Sequence, residues 1–106
     1  MDIETIRDKV LAEEYSFVGH AIVEACKDGI RPQDAKHVLL TGKLIEDYPD
    51  RCRCLVSGTA LAKISVHVVV EYADYLEDSR QDLVIVTVYV PNPVDWIADK
   101  IRKRRR

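Results

Sequence analysis

The chain has 106 residues, 47% hydrophobic and 32% charged, with a formal net charge of −2; that is enough for one hydrophobic core and too little for two. No apolar run approaches the ~20 residues that span a bilayer, and the start, Met1-Asp2-Ile3-Glu4-Thr5-Ile6-Arg7-Asp8, is acidic and amphipathic where a secretory leader is basic and then apolar. A soluble, cytoplasmic protein with no membrane association is expected, and its overall acidity is unlike the basic profile of a duplex-DNA reader.

Ile3, Ile6, Val10 and Leu11 recur at helical spacing, which predicts an amphipathic helix over residues 2–14 with one narrow apolar stripe. Ser16 is placed to cap a second helix that turns Val18, Ile22, Ala25 and Cys26 inward and stops at Gly29, with His20, Glu24 and Lys27 on its other side. Pro32 suits the first turn of a third helix, with Ala35, Val38 and Leu39 inward and Gly42 closing it. Lys43 to Tyr48 and Arg51 to Gly58 then read as strands separated by the turn signal Tyr48-Pro49-Asp50-Arg51. Cys52 and Cys54 alternate with Arg51, Arg53 and Leu55, so both thiols point to one face. Buried free thiols are expected there, because Cys-x-Cys without a second ligand pair is a poor metal site. No metal or other cofactor is expected.

Two valine-dense runs follow, Lys63 to Tyr72 and Asp82 to Pro91, and their β-branched content with period-2 alternation predicts adjacent antiparallel strands joined by a loop from Ala73 to Gln81. If residue i faces residue 156 − i, Val66, Val68, Val70 and Tyr72 meet Val90, Val88, Val86 and Val84 on one apolar face. The other face then carries Ser65, His67, Val69 and Glu71 against Thr87 and Tyr89, and a one-residue slip would mix the two sets. His67 and Tyr89 become neighbours on a half-polar surface. Pro91 and Pro93 stop the sheet, and Val94 to Ile101 is expected to form a short closing helix with Trp96, Ile97 and Ile101 on its apolar side.

The expected architecture is α+β: N-terminal helices packed on one face of a four-stranded antiparallel sheet, with a short C-terminal helix. One domain spans 1–99, and 100–106 is a basic tail. Lys100, Arg102, Lys103, Arg104, Arg105 and Arg106 supply six of the sixteen basic residues, leaving ten basic against eighteen acidic residues in the body. Such an arm suits a phosphate backbone or an acidic patch on a partner, or is simply solvated.

Phe17-Val18-Gly19-His20-Ala21, the Asp28-Gly29-Ile30 corner, Gly42 to Pro49, Leu55-Val56-Ser57-Gly58, His67 to Val70, and Ile85 to Pro91 with Trp96 follow one another in an order that resembles a small prokaryotic family of unknown function. That family is loosely grouped with RelE/ParE-like (MqsR/BrnT-like) toxins and is often encoded beside an MqsA/YgiT-type zinc-finger antitoxin. The resemblance covers roughly residues 15 to 97, and order and spacing carry it. It implies a RelE-like fold, a ribonuclease acting on mRNA or at the ribosome, and a zinc-finger antitoxin-type partner. The chain departs from the family pattern where a serine and two arginines are usual, at Val18, Glu24 and Asp28.

Metal-independent RNA cleavage needs a base for the 2′-hydroxyl, an acid for the leaving oxygen and cations for the charge that develops on phosphorus. His67 and Tyr89 are the candidate acid–base groups, His20 approaches from the helical side, Arg51 and Arg53 are candidate phosphate clamps, and Arg102 and Lys103 candidate backbone contacts. Each has a plainer alternative. His67 can be a structural histidine held within the sheet, Tyr89 a cap on that face, Arg53 the partner of Glu46 or Asp47 in a surface pair, and His20 the partner of Glu24 one turn on. The expected function is therefore a toxin-like endoribonuclease, with a non-catalytic protein-interaction module on the same scaffold as the alternative.

Overall fold

A computed structural model describes residues 1–61, 63–72, 82–93, 96–97 and 101–102, the last two pairs as backbone only. Helix α1 (Ile3–Leu11) starts where Asp2 accepts a hydrogen bond from the Thr5 amide at 2.8 Å, a capping geometry that satisfies a donor the helix itself cannot. Its inward residues are Ile6 and Val10, while Leu11, placed on the stripe by its spacing, is 68% exposed.

The second element departs from expectation. Tyr15–Phe17 is a short strand, β1, and Ser16 caps nothing; helix α2 (Gly19–Lys27) begins after it from Val18 without a side-chain cap. It buries Ala21 and Ala25, whereas Ile22 and Cys26 face outward. Gly29 ends it at φ +74°, its amide bonding to the Cys26 carbonyl and that of Ile30 to the Ala25 carbonyl. This is a Schellman motif, which needs the left-handed conformation glycine adopts cheaply. Helix α3 (Pro32–Thr41) turns Ala35, Val38 and Leu39 inward as its spacing predicts, and Asp34 in its first turn is also buried.

Strands β2 (Lys43–Tyr48), β3 (Arg53–Thr59), β4 (Ser65–Glu71) and β5 (Leu83–Tyr89) follow, with a 3-10 turn at Pro49–Arg51 between the first two. The sheet has five strands in the order β1-β5-β4-β3-β2, and β1 runs parallel to β5 while the other pairs are antiparallel. The sheet is therefore five-stranded and mixed, where four antiparallel strands were expected; the added parallel edge strand has three residues, too few to show a period of its own. Among the described residues no C-terminal helix is found: Trp96–Ile97 and Ile101–Arg102 pair as two minimal antiparallel strands, β6 and β7. Three apolar positions over eight residues cannot by themselves distinguish a short helix from paired strands. The Ala73–Gln81 loop and positions 103–106 of the tail lie outside the described residues.

Between β4 and β5 the pairs His67 with Tyr89, Val68 with Val88 and Val69 with Thr87 follow the predicted register, which then shifts by one to give Val70 with Ile85 and Glu71 with Val84. The shift is a β-bulge, one extra residue on β5, and it reverses which residues face inward. Leu83, Ile85 and Val88 are buried, and Val84 and Val86 are only half-buried. Burying Leu and Ile in place of two Val removes more apolar surface from water. Helix α3 packs on β3 and β4, α2 on β5, and α1 on α3 and β5, so Cys54, Val56, Val66, Val68, Val70 and Tyr72 are enclosed between sheet and helices.

Candidate functional site

Pairing fixes what the sheet carries on the side away from that core. Lys43 lies opposite Ser57, Ser57 opposite His67, and His67 opposite Tyr89. Directly paired residues share a face. One row crossing four strands thus holds an ammonium, a hydroxyl, an imidazole and a phenol. The His67 Nδ1 and the Tyr89 hydroxyl are 3.1 Å apart, with the rings edge to face at a centroid separation of 5.2 Å.

The row is not an open surface. His67 has 0% and Ser57 5% of its surface exposed, and Leu55, on the next row, 1%. His67 and Leu55 are buried outside the main core cluster. A buried imidazole must meet its polar requirement within the protein, and the Tyr89 hydroxyl contributes to doing so.

The other sequence candidates do not converge on this pair. Arg53 lies opposite Glu71 in the sheet, and its guanidinium contacts that carboxylate through Nη2 at 3.0 Å and Nε at 3.1 Å. Its partner is therefore Glu71, where Glu46 or Asp47 was expected. Glu71 is four residues beyond His67 on β4, about 13 Å away at the ~3.3 Å rise of a strand. Arg51 is exposed in the 3-10 turn, beside Asp47 and Asp50 in a shallow cleft of about 400 Å³. His20 is exposed in the first turn of α2, and the Glu24 expected to pair with it contacts Lys27 at 3.4 Å. Arg102 lies in β7, described as backbone, and Lys103 falls outside the described residues.

Two constellations escaped the sequence reading. On the core side of the sheet Asp47 pairs with Cys54 in register, and its Oδ1 accepts from the Cys54 thiol and from the Tyr72 hydroxyl, each at 3.3 Å. Burial foremost, with the Asp47 carboxylate adding to it, pushes the Cys54 thiol up to about 12 and the Tyr72 phenol up to about 12. A thiol held protonated is a poor nucleophile and a poor metal ligand, so this cluster is structural. Only Cys54 of the Cys-x-Cys pair is fully buried; Cys52 is half-exposed with φ +53°, and neither forms a disulfide. Among the described residues no group of three or more His, Cys, Asp or Glu could hold a metal ion.

The second is a cleft of about 690 Å³ between the end of α3, the start of β2 and the turn joining β3 to β4; its lining includes His37, Thr41, Lys43, Ser57, Lys63 and Ser65. Gly42 packs closely on β3 there, since a Cβ on it would stand 2.4 Å from the Ser57 carbonyl oxygen. Lys43 and Ser57 were reachable from sequence by registering β2 on β3 and β3 on β4. Lys63 was not, since nothing in the sequence foretells its φ of +62°.

The chain belongs to the family described as a domain of unknown function (DUF4258), whose family model matches residues 17–90. No curated protein and no solved structure matches it. Among the described residues no helix is long and apolar enough to cross a membrane.

Proposed function

We propose that this DUF4258 member is a non-catalytic interaction module: a RelE-like scaffold that docks a protein partner and does not itself cleave RNA. The three helices laid against the antiparallel run from β2 to β5 support reading the scaffold as RelE-like. The observation that carries the functional half is the enclosure of His67, 0% exposed with its ring against Tyr89. A general base must come within about 2.6–3.2 Å of the proton it removes, and an enclosed imidazole offers no such approach. The Arg53 charge is already matched by Glu71, and Val18, Glu24 and Asp28 stand where members of the resembled family commonly carry a serine and two arginines. By that same resemblance, the partner is a small zinc-finger antitoxin-type protein encoded beside the chain.

Co-expression of the chain with the product of its neighbouring gene tests this reading. A complex that survives purification, and a freed chain that leaves transcripts intact, are expected; RNA cleavage that disappears in His67→Gln would sink it. The endoribonuclease is the second reading, favoured by one observation: an imidazole and a phenol at 3.1 Å form an acid–base pair, which would act only if RNA binding uncovered them. Inducible expression in a bacterial host, with growth and transcript integrity followed for wild type and His67→Ala, separates the two.

A further inference from the structure

We infer that the cleft between the C-terminal end of α3 and the β3–β4 turn is a binding site for a phosphate group. Its described lining residues include two lysines, Lys43 and Lys63, with His37, Thr59 and Ser65 and no acidic residue; Ser57 is buried and the Thr41 hydroxyl already donates to the His37 carbonyl, so neither is counted as a donor. Both lysines are exposed. In a chain with more acidic than basic residues, a cleft lined by cations without an acid is a local reversal of sign, which concentrates anions.

Three features shape the cleft and its field. The acid nearest in sequence to the lining of α3, Asp34, is buried, and its oxygens accept from the Arg31 amide at 2.9 Å and the Leu61 amide at 3.2 Å, so it pins the β3–β4 turn to α3. At the end of α3, whose carbonyls are electronegative, the Gly42 amide donates to the Val38 carbonyl at 2.7 Å and Arg7 Nη2 to the Gly42 carbonyl at 2.8 Å, which answers part of that field. The lip is held by the turn itself, where the Ala60 amide donates to the Ile64 carbonyl at 2.8 Å and the Lys63 amide to that of Ala60 at 2.9 Å.

The donor set selects phosphate over carboxylate. A carboxylate has two oxygens to satisfy, whereas a phosphate presents three or four, and two ammonium groups with the Thr59 and Ser65 hydroxyls match the larger number. The volume of about 690 Å³ admits more than the bare anion, falling within the roughly 300–1,000 Å³ of small-ligand sites. The phosphate can therefore belong to a mononucleotide or to a nucleic-acid backbone crossing the cleft.

The test titrates the full chain with inorganic phosphate, uridine 5′-monophosphate, a short RNA oligonucleotide and acetate, followed by calorimetry and by amide chemical shifts. Phosphate and the mononucleotide are expected to bind and to move the amides of Ser57, Thr59, Lys63 and Ser65, with acetate at least tenfold weaker. The double variant Lys43→Gln/Lys63→Gln should weaken phosphate binding tenfold or more. Lys9→Gln/Lys27→Gln, equal in charge change but on α1 and α2, should alter it less than twofold. Equal losses in the two double variants, equal binding of acetate, shifts centred elsewhere, or no binding of any phosphate probe would overturn the assignment. An oligonucleotide that binds more tightly than the mononucleotide, with a steeper salt dependence, identifies the backbone as the source; equal affinity identifies a free phosphate monoester.

Discussion

His67 and Tyr89 face each other across β4 and β5, Nδ1 and hydroxyl 3.1 Å apart and rings edge to face, on the side of the sheet opposite the main core. The register that joins them also makes them interdependent, since each ring is part of the other's environment.

Removing only the hydroxyl probes this directly. Tyr89→Phe keeps the edge-to-face packing and withdraws a polar partner from an enclosed imidazole, so a loss of about 0.5–1.5 kcal/mol is expected. Urea denaturation of the two proteins measures it; an unchanged midpoint would mean that the hydroxyl contributes nothing net to the fold.

The thiols should differ sharply in reactivity. Cys26 is exposed, and Cys54 is buried with its thiol pushed from an ordinary 9.0 to about 12. A thiol-specific chromogenic reagent at pH 8 is expected to modify Cys26 rapidly in the native protein and Cys54 only after unfolding.

The same cluster makes the fold sensitive to alkali. Burial favours the neutral forms of Cys54 and Tyr72, raising them from 9.0 and 10.0 to about 12. A folded-state value above the unfolded one contributes stability that is complete below the unfolded value and disappears as pH climbs through the folded one. Melting temperature should therefore fall between about pH 9 and 12, and fall less in Cys54→Ala, which is itself less stable at neutral pH.

Asp34 behaves in the opposite sense. Its carboxyl is held below 3.8, chiefly by the Arg31 amide, so its contribution is present above that value and fades as pH falls through the lowered one. Asp34→Ala leaves the amides of Arg31 and Leu61, whose bonds to it are part-buried, without their acceptor and is expected to cost about 1–3 kcal/mol at neutral pH. The deficit relative to wild type should shrink in strong acid.

Three glycines should respond differently to alanine. Gly42→Ala would drive a methyl to 2.4 Å from the Ser57 carbonyl oxygen and 2.6 Å from that of Val38, both backbone, and should cost about 1–3 kcal/mol by overpacking. Gly29→Ala has space around it but sits at φ +74°, for a cost of roughly 1–2 kcal/mol. Gly19, with nothing within 4 Å and no positive φ, should be neutral or stabilising by up to about 1 kcal/mol. Thermal melts of the three variants rank them.

By itself the sequence determined what depends on neighbours along the chain. The spacing of Ala35, Val38 and Leu39 and the pairing of His67 with Tyr89 follow from the 3.6 and 2.0 periods of side-chain direction, the stop at Gly29 from the left-handed conformation glycine allows, and the structure bears all three out. Its errors fall where local signals are short or partners are distant. Tyr15–Phe17 is a strand only because β5 offers it an edge, Leu83 and Ile85 face inward only because the ladder shifts by one residue after Val69, and Arg53 meets Glu71 only because β3 and β4 lie side by side. The tertiary structure alone decided that His67 is enclosed, and that Lys63 joins Lys43 around a cleft built against Gly42. Burial and strand pairing sum contacts from segments far apart in sequence, and a pattern read along one strand carries no record of what packs over it.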